Sequence, residues 1–252
     1  YKPYLLNKEK KLRILHITNF NERHNGRLFF NTGRRLNNGF IRLGHSVLEF
    51  SDRDIVSRNK SYRDLTGSKS LNDKLIKTCY HFKPDLLVLG HADSVSPDII
   101  DSLKNEYSNL KVAQWFLDPL NSKGPDYEKN KKRILDKIEI IDGNFLTTSP
   151  DVLSFLNKTN SFFIPNPCDK SIETLSNYKK NCSNDVFFAL SHGVHRGKLK
   201  SRTSDDREIF IKKLIEKCNN VRFDVYGMNG VQPIWADQYF KNISNSKMGL
   251  NL

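Results

Sequence analysis

The stretch RILHITNFNERHNGRLFF, residues 13–30, indicates both the fold and the place of a site. Its first part, within LRILHIT (12–18), is apolar and β-branched and predicts a strand. A polar segment follows at once, and then an apolar helical face: Phe29, Leu36, Phe40 and Leu43. A strand, a polar loop and an amphipathic helix form the start of a βαβ unit, so this stretch predicts a parallel sheet.

Strand-like and helix-like segments continue to alternate through residue 165. The further strand-like segments are 46–51, 84–90, 111–117, 144–149 and 161–165. The helical signals are the face of Leu71, Leu75, Ile76 and Cys79, a helix starting at Ser96-Pro97, a charged helix over 126–139, and a similar start at Ser149-Pro150-Asp151. Such alternation predicts a mostly parallel sheet with helices on both faces.

Two domains are predicted, with a linker between them. Residues 1–166 form an N-terminal Rossmann-like domain, 167–184 are a polar linker without a strong period, and 185–252 form a second α/β unit. The second unit has strands at 185–191 and 221–227, a strand within SKMGLNL (246–252), and a helix with Ile209, Phe210, Leu214 and Ile215. At 68 residues it is short for a Rossmann-like domain, so we expect it to be incomplete.

The composition is that of a folded protein with a basic surface. Hydrophobic residues make up 37% and aromatic residues 11%, and 41 basic against 28 acidic residues give a net charge of +13. The charge favours anionic partners such as nucleotides, phospholipid headgroups or nucleic acid, or it reflects solvated lysines in a Lys- and Asn-rich chain. Because the basic residues are spread along the chain, nucleic acid is the less favoured partner.

Cysteine usage and hydropathy bear on the compartment. The four cysteines show no CxxC spacing and are read as reduced thiols. No apolar run approaches the roughly 20 residues of a membrane span, and charge follows Tyr1-Lys2-Pro3 where a signal peptide would be apolar. We expect a cytoplasmic protein, with peripheral association at the inner face of the membrane as an option.

Open parallel sheets bind ligands beyond the carboxyl ends of their strands, and this rule selects candidate residues. In the loop after the first strand it selects Asn21, His24, Gly26 and Arg27 for substrate binding, against the alternative of a solvated loop. After the third strand it selects His91 and Asp93, a His–carboxylate pair suited to moving a proton or holding a hydroxyl, or else a turn cap.

The same rule selects three more positions, whereas two other motifs are excluded as sites. Asp118 follows the fourth strand as a base, a ligand of sugar hydroxyls or a turn cap, and Arg196 and Lys198 in SHGVHRGKLKSR (191–202) suit a diphosphate. No G-x-G-x-x-G follows the first strand, and His192, His195 and Cys182 make no credible zinc set. The aromatic residues Tyr107, Trp115 and Trp235 either stack on a base or sugar ring or belong to the core.

Taken in order, several motifs resemble those of GT-B fold glycosyltransferases, particularly the group 1 and spore-maturation-type families. The motifs are FIRLGHSVLEF (40–50), KPDLLVLGH (83–91), VAQWFLDPL (112–120), FFIPNPCD (162–169), VRFDVYGMNG (221–230) and SKMGLNL. The resemblance runs from about Lys11 to Leu252. One departure is Pro119 directly after Asp118, and another is HRGK in place of the family's longer basic motif.

The resemblance implies a two-lobed, metal-independent transferase whose second domain binds a nucleotide sugar. It implies UDP or GDP as the nucleotide that carries the sugar. Arg196, Lys198 and Gly227 would lie at the donor, and His91, Asp93 and Asp118 would act in catalysis. The acceptor would be a glycan, a lipid-linked molecule or a small molecule, and sugar transfer would take place in the cleft between the lobes. The family's C-terminal carboxylates are expected beyond Leu252, which predicts a C-terminally truncated chain.

Two other readings stay open. One is a non-catalytic basic α/β module that binds nucleic acid or another polyanion, and the other is an epimerase on the same scaffold. The basic module would be identified by an affinity for polyanions that falls steeply with added salt and by no preference among nucleotides. Against that module, the aromatic residues are not interleaved with Lys and Arg as a stacking surface requires.

Overall fold

The computed structural model describes residues 10–62, 64–124, 126–156, 160–191, 194–195, 198–199 and 205–252. These residues form two units. The first comprises the described residues up to Arg23 together with Asn31–Asp169, and the second comprises His24–Phe30 together with Lys170–Leu252. Each unit has its own parallel sheet and its own buried core. The linker predicted at 167–184 stays a prediction.

The first unit is a six-stranded, all-parallel sheet with the strand order β2-β1-β3-β4-β5-β6. Its strands are β1 (Arg13–Ile17), β2 (Ser46–Phe50), β3 (Leu86–Gly90), β4 (Lys111–Phe116), β5 (Gly143–Leu146) and β6 (Ser161–Phe163). Its helices are α1 (Thr32–Arg42), α2 (Asp52–Asn59), α3 (Ser68–Phe82), α4 (Pro97–Glu106) and α5 (Tyr127–Leu135).

Both faces of this sheet are buried, which explains the continuous apolar runs in its strands. On one face, Leu15 and Leu87 belong to a cluster that includes Leu71 of α3 and Ile100 of α4. On the other face, Ile14, Val88 and Trp115 form a second cluster with Leu36 and Phe40 of α1 packed against it. The strands therefore alternate between two cores and present little polar surface.

The second unit has a three-stranded parallel sheet in the order β10-β7-β11. Its elements are β7 (Asn184–Ala189), the short antiparallel pair β8 (Val194–His195) and β9 (Lys198–Leu199), α6 (Asp206–Lys217), β10 (Phe223–Tyr226), α7 (Ala236–Ile243) and β11 (Ser246–Gly249). Phe188, Leu190, Ile211 and Met228 form its core. The predicted fold class, two Rossmann-like parallel-sheet domains of which the second is small, is confirmed.

Several predicted elements need correction. The first helix begins at Thr32, so Phe29 precedes it, and Leu43 at its C-cap is 59% exposed and leaves the apolar face. Ile76 is 40% exposed on α3. The charged helix ends at Leu135 and not at residue 139, because turns follow from Asp136.

Two further corrections concern short elements. Ser149-Pro150-Asp151 starts only a 3-10 turn, Pro150–Val152. The sequence reading placed no helix at α2 or α7, although both are present. Each has only eight residues, too few for a helical period to stand out.

The strand order creates a crevice at one place in the first sheet. The chain passes from β1 to β2 on one side and then returns to β3 on the other side of β1. The connections therefore diverge at the carboxyl ends of β1 and β3, and open α/β sheets bind ligands at such a switch point.

Candidate functional site

A cleft of about 250 Å³ opens in the first unit at this switch point. Its lining comes from six parts of the chain: Thr18 and Asn19 after β1, Asn31, Thr32 and Gly33 at the start of α1, Arg53 in α2, Gly90 and His91 at the end of β3, Trp115 in β4, and Leu117 and Asp118 after β4. The cleft therefore lies where the topology predicts a ligand.

Two glycines allow the walls of the cleft to come close together. A Cβ atom on Gly90 would lie 2.1 Å from Cζ2 of Trp115, and one on Gly33 would lie 2.6 Å from Cγ2 of Thr18. Neither distance is possible between real atoms without displacement. The absence of these side chains lets the indole cover the end of β3 and lets α1 begin beside β1.

The turn after β3 holds His91 in a strained conformation. His91 and Ala92 both have positive φ angles, 53° and 45°, which residues other than glycine rarely adopt. The Ala92 N–H donates to the Gly90 carbonyl at 2.6 Å, closing a three-residue turn around His91. Such strain is found preferentially at functional sites, where the surrounding structure maintains it.

His91 is paired with Asp118. Its Nε2 lies 3.4 Å from Oδ2 of Asp118, with 26% of the histidine side chain and 42% of the aspartate side chain exposed. Burial lowers the pKa of His91, and the Asp118 carboxylate opposes part of that shift. His91 is therefore an unprotonated imidazole at neutral pH. It can accept a proton, and the neighbouring carboxylate would stabilise the imidazolium that forms.

Asp93 pairs with two arginines, and its predicted catalytic role stays a prediction. Its Oδ2 accepts hydrogen bonds from Arg53 and Arg133, both at 2.9 Å. The structure thus places Asp118, and not Asp93, as the carboxylate beside His91. Asp93 holds two guanidiniums at the edge of the cleft.

The sequence reading missed Arg53 and Arg133. Arg133 joins the two carboxylates, because it binds Asp93 and its Nη1 lies 3.6 Å from Oδ2 of Asp118. Arg53 follows the second strand, so the rule that selected His91 could have found it. No local signal marks Arg133, which lies in the last turn of α5.

Two buried charged groups lie near this cluster. Burial raises the pKa of Asp52, although the backbone N–H groups of Arg53 and Ser94 act in the other direction. Burial lowers the pKa of Lys137, while Asp93 opposes that shift. Asp52 and Lys137 thus add one buried ionisable group of each sign close enough to Asp93 to interact with it electrostatically.

The predicted substrate residues of the first polar loop are divided between the units. Asn21 lies in the first unit, where its Oδ1 accepts from Asn19 Nδ2 at 2.9 Å. His24, Gly26 and Arg27 lie in the second unit. There the Arg27 guanidinium lies 3.1 Å from His24 Nδ1 and 5.1 Å from the centre of the Trp235 ring. Within the first unit, Asn19 lines the cleft and Asn21 does not. The predicted role of the four residues in substrate binding stays a prediction.

Two of the predicted donor residues, Lys198 and Gly227, lie in the second unit. Arg196 is outside the described residues, and Lys198 is described only as backbone of β9. Gly227 has φ 77°, and a Cβ atom there would lie 1.8 Å from the Leu190 carbonyl oxygen, so its place in the turn requires glycine. A cleft of about 400 Å³ includes Phe187–Ala189 of β7, Gly249 of β11, and Arg207. The donor role of these residues stays a prediction.

Among the described residues, no three His, Cys, Asp or Glu side chains come together as ligands for a metal ion. Within those residues, no helix is both long and apolar enough to cross a bilayer.

No protein-family model and no curated protein matches the sequence. Among solved structures, the glycosyltransferase SnogD from Streptomyces nogalater is 13% identical with a TM-score of 0.44, and the match covers 96% of this chain and 72% of that chain. A Listeria monocytogenes protein that bears the name UDP-N-acetylglucosamine 2-epimerase is 8% identical with a TM-score of 0.49, covering 95% and 74%.

CetZ from Methanosaeta thermophila strain DSM 6194 is 18% identical with a TM-score of 0.33. That match covers 54% of this chain, and this chain spans 45% of CetZ. With TM-scores below 0.5, we draw no function from these likenesses.

Proposed function

We propose that this chain belongs to a glycosyltransferase whose acceptor binds in the cleft of the first unit and whose donor is a nucleotide sugar, with UDP or GDP as the carrier. One observation carries the proposal. At the β1/β3 switch point, an unprotonated His91 on a strained turn lies 3.4 Å from the Asp118 carboxylate. This is a general base with its supporting anion, at the place where the fold binds ligands.

The charges of the cleft support an uncharged, hydroxylated acceptor. Arg53 and Arg133 are matched by Asp93 and Asp118, and His91 is neutral, so the cleft carries little net charge. The side chains of Thr18, Asn19, Asn31 and Thr32 add hydroxyl and amide groups to its lining. Such groups recognise sugar hydroxyls by hydrogen bonding.

The transfer requires one proton movement and one exchange of bonds. The acceptor hydroxyl gives its proton to His91 as the acceptor oxygen bonds to the anomeric carbon of the donor sugar. The bond from that carbon to the diphosphate oxygen breaks, and the diphosphate leaves with the electron pair. Asp118 stabilises the imidazolium that forms, and basic groups such as the predicted Arg196 and Lys198 would stabilise the leaving diphosphate.

Calorimetric titration with UDP, GDP, ADP and a short single-stranded DNA tests the class of function. We expect one nucleoside diphosphate to bind saturably, and Arg196→Ala with Lys198→Ala to weaken it by about tenfold or more. Lys212→Ala is the matched control, because Lys212 is an exposed cation of α6 that pairs with Glu208. Binding of DNA alone, lost with added salt, would refute the proposal and favour the polyanion-binding module.

A further inference from the structure

His16 lies at the centre of β1 and is completely buried, yet the proposed chemistry does not use it. Its neighbours in the sheet are Glu49 of β2 and Val88 of β3. Its imidazole ring packs edge-on against the rings of Phe20 and Phe40, with centroids 5.3 and 5.7 Å away. A polar ring among apolar neighbours is costly unless its nitrogens are hydrogen-bonded, so their partners are informative.

Both nitrogens of His16 have partners. The indole Nε1–H of Trp115 donates to His16 Nε2 at 3.1 Å, and His16 Nδ1 lies 3.3 Å from Asn37 Oδ1. Because Nε2 accepts a hydrogen bond from the indole N–H, the ring proton lies on Nδ1, which donates to Oδ1 of Asn37. Burial lowers the pKa of His16 to about 4, so the ring keeps this neutral form near neutral pH.

The network continues away from the cleft to a charged anchor. Asn37, itself buried, donates from Nδ2 to Oε1 of Glu49 at 2.8 Å. Arg34 of α1 donates to the same oxygen. Each donor along this path meets an acceptor, so the imidazole is held at a fixed angle by α1 and β2 together.

The other end of the network reaches the cleft. Trp115 lines the cleft, its Cζ2 occupies the space left open by Gly90, and its ring centre lies 6.3 Å from that of His91. The indole N–H is the only polar group of this side chain, and its direction fixes the plane of the ring. The hydrogen bond to His16 therefore restrains the orientation of a ring that lines the cleft.

We propose that His16 is a positioning residue for the cleft. By accepting the indole N–H, it holds Trp115 in the orientation that forms the wall against which the acceptor packs. The link to the acceptor rests on the proposed function, whereas the hydrogen bond to Trp115 can be tested without any ligand.

The first test is nuclear magnetic resonance of 15N-labelled protein without ligand. In the wild type, we expect the nitrogen shifts of His16 to show a neutral ring protonated at Nδ1. Trp235→Phe identifies the indole signal of Trp115, since the chain has two tryptophans. We expect His16→Leu to speed solvent exchange of the Trp115 indole proton by about tenfold, and His16→Gln, which retains an acceptor, to change it by less than about threefold.

Ile14→Val is the matched control, because Ile14 is buried on the same strand and in the same cluster as Trp115 but donates and accepts no side-chain hydrogen bond. Equal acceleration in Ile14→Val and His16→Leu would show general loosening and overturn the proposal. A His16 ring protonated at Nε2 in the wild type would overturn it as well, and this measurement needs no variant to fold.

The second test adds methyl glycosides as probes and follows the signals of Trp115 and His91. We expect His16→Leu to weaken binding by about tenfold while His16→Gln and Ile14→Val remain close to the wild type. If no glycoside binds the wild type, the proposed function fails, and the indole exchange still decides the role of His16. If glycosides bind equally to the wild type and His16→Leu, His16 does not position the cleft.

Discussion

At the scale of single residues, the backbone conformation of His91 determines where its imidazole ring lies. Its positive φ angle turns the side chain out of the end of β3, and burial keeps the ring unprotonated beside Asp118. The neighbouring charges act on it in opposite directions, because Asp118 raises its pKa and Arg133 lowers it. These opposing effects can be separated by substitution.

We expect Asp118→Asn to lower the pKa of His91 further, since the carboxylate that favours the imidazolium is lost. Arg133→Gln should shift the pKa of His91 in the opposite direction. Titration of the histidine ring signals by nuclear magnetic resonance measures both effects, with His91→Gln to identify the signal. Lys132→Gln is the control, because Lys132 is exposed and pairs with Asp136. A pKa of His91 that does not respond to Asp118→Asn would contradict the pairing.

A second residue-scale prediction concerns Gly90. We expect Gly90→Ala to lower the free energy of unfolding by roughly 1–3 kcal/mol, because the new methyl group overlaps Trp115. Gly39→Ala is the matched control, since Gly39 lies within α1 with no neighbour within 4 Å of the added atom. There we expect a gain of about 0.5–1 kcal/mol from helix propensity. Urea unfolding measures both, and equal effects would show that Trp115 does not occupy that space.

At the scale of elements, β1 makes the stability depend on pH through His16. Burial lowers the folded-state pKa of His16 to about 4, below the 6.5 of an ordinary histidine, so the unfolded state takes up the proton first as the pH falls. Stability therefore decreases from about pH 6.5 down to about pH 4 and then no further on account of this group. The loss amounts to roughly 3 kcal/mol.

Denaturant unfolding of the wild type and His16→Gln at pH 7, 5.5 and 4 measures this contribution. We expect the difference between the two proteins to change by roughly 3 kcal/mol across the series, because the glutamine does not titrate. Carboxylates such as Asp54 and Asp142 affect both proteins alike and cancel in the difference. A constant difference would show that His16 is accessible to protons in the folded state.

The strands could be predicted from the sequence because both faces of the sheet are buried. LLVLG is a continuous apolar run, and RILHI is one apart from Arg13 at its start and the buried His16, because a parallel strand between two cores has no side that faces solvent. The ends of helices were less predictable. Phe29 continues the apolar period of α1 in sequence but belongs to the second unit, and local periodicity contains no information about that tertiary choice.

The site was predictable where it follows strand ends and unpredictable where it depends on side-chain partners. The rule for parallel sheets selected His91 and Asp118, which the fold brings together. It could not show that Asp93 would bind two arginines instead, because Arg133 reaches it from a helix 40 positions along the chain. Trp115 was recognised as either core or ligand-stacking, and the structure places it in a core cluster and in the cleft lining at once.

At the scale of the whole molecule, the net charge of the chain differs from the net charge of the cleft. The chain carries +13, whereas the guanidiniums and carboxylates of the cleft balance each other. A ligand recognised by hydroxyl contacts in that cleft should bind almost independently of salt, whereas a polyanion attracted by the overall charge should be released by salt. The dependence on salt thus distinguishes the proposed transferase from the basic binding module.

The most direct test of the central claim is therefore a titration of 15N-labelled protein with a panel of methyl glycosides at 50 and 200 mM salt. We predict saturable shifts at His91, Trp115 and Asp118, with affinities that change less than about twofold between the two salts. His91→Gln should weaken binding, and the control Lys132→Gln should not. Shifts confined to exposed lysines and arginines, or no shifts until DNA is added, would contradict an acceptor site in this cleft.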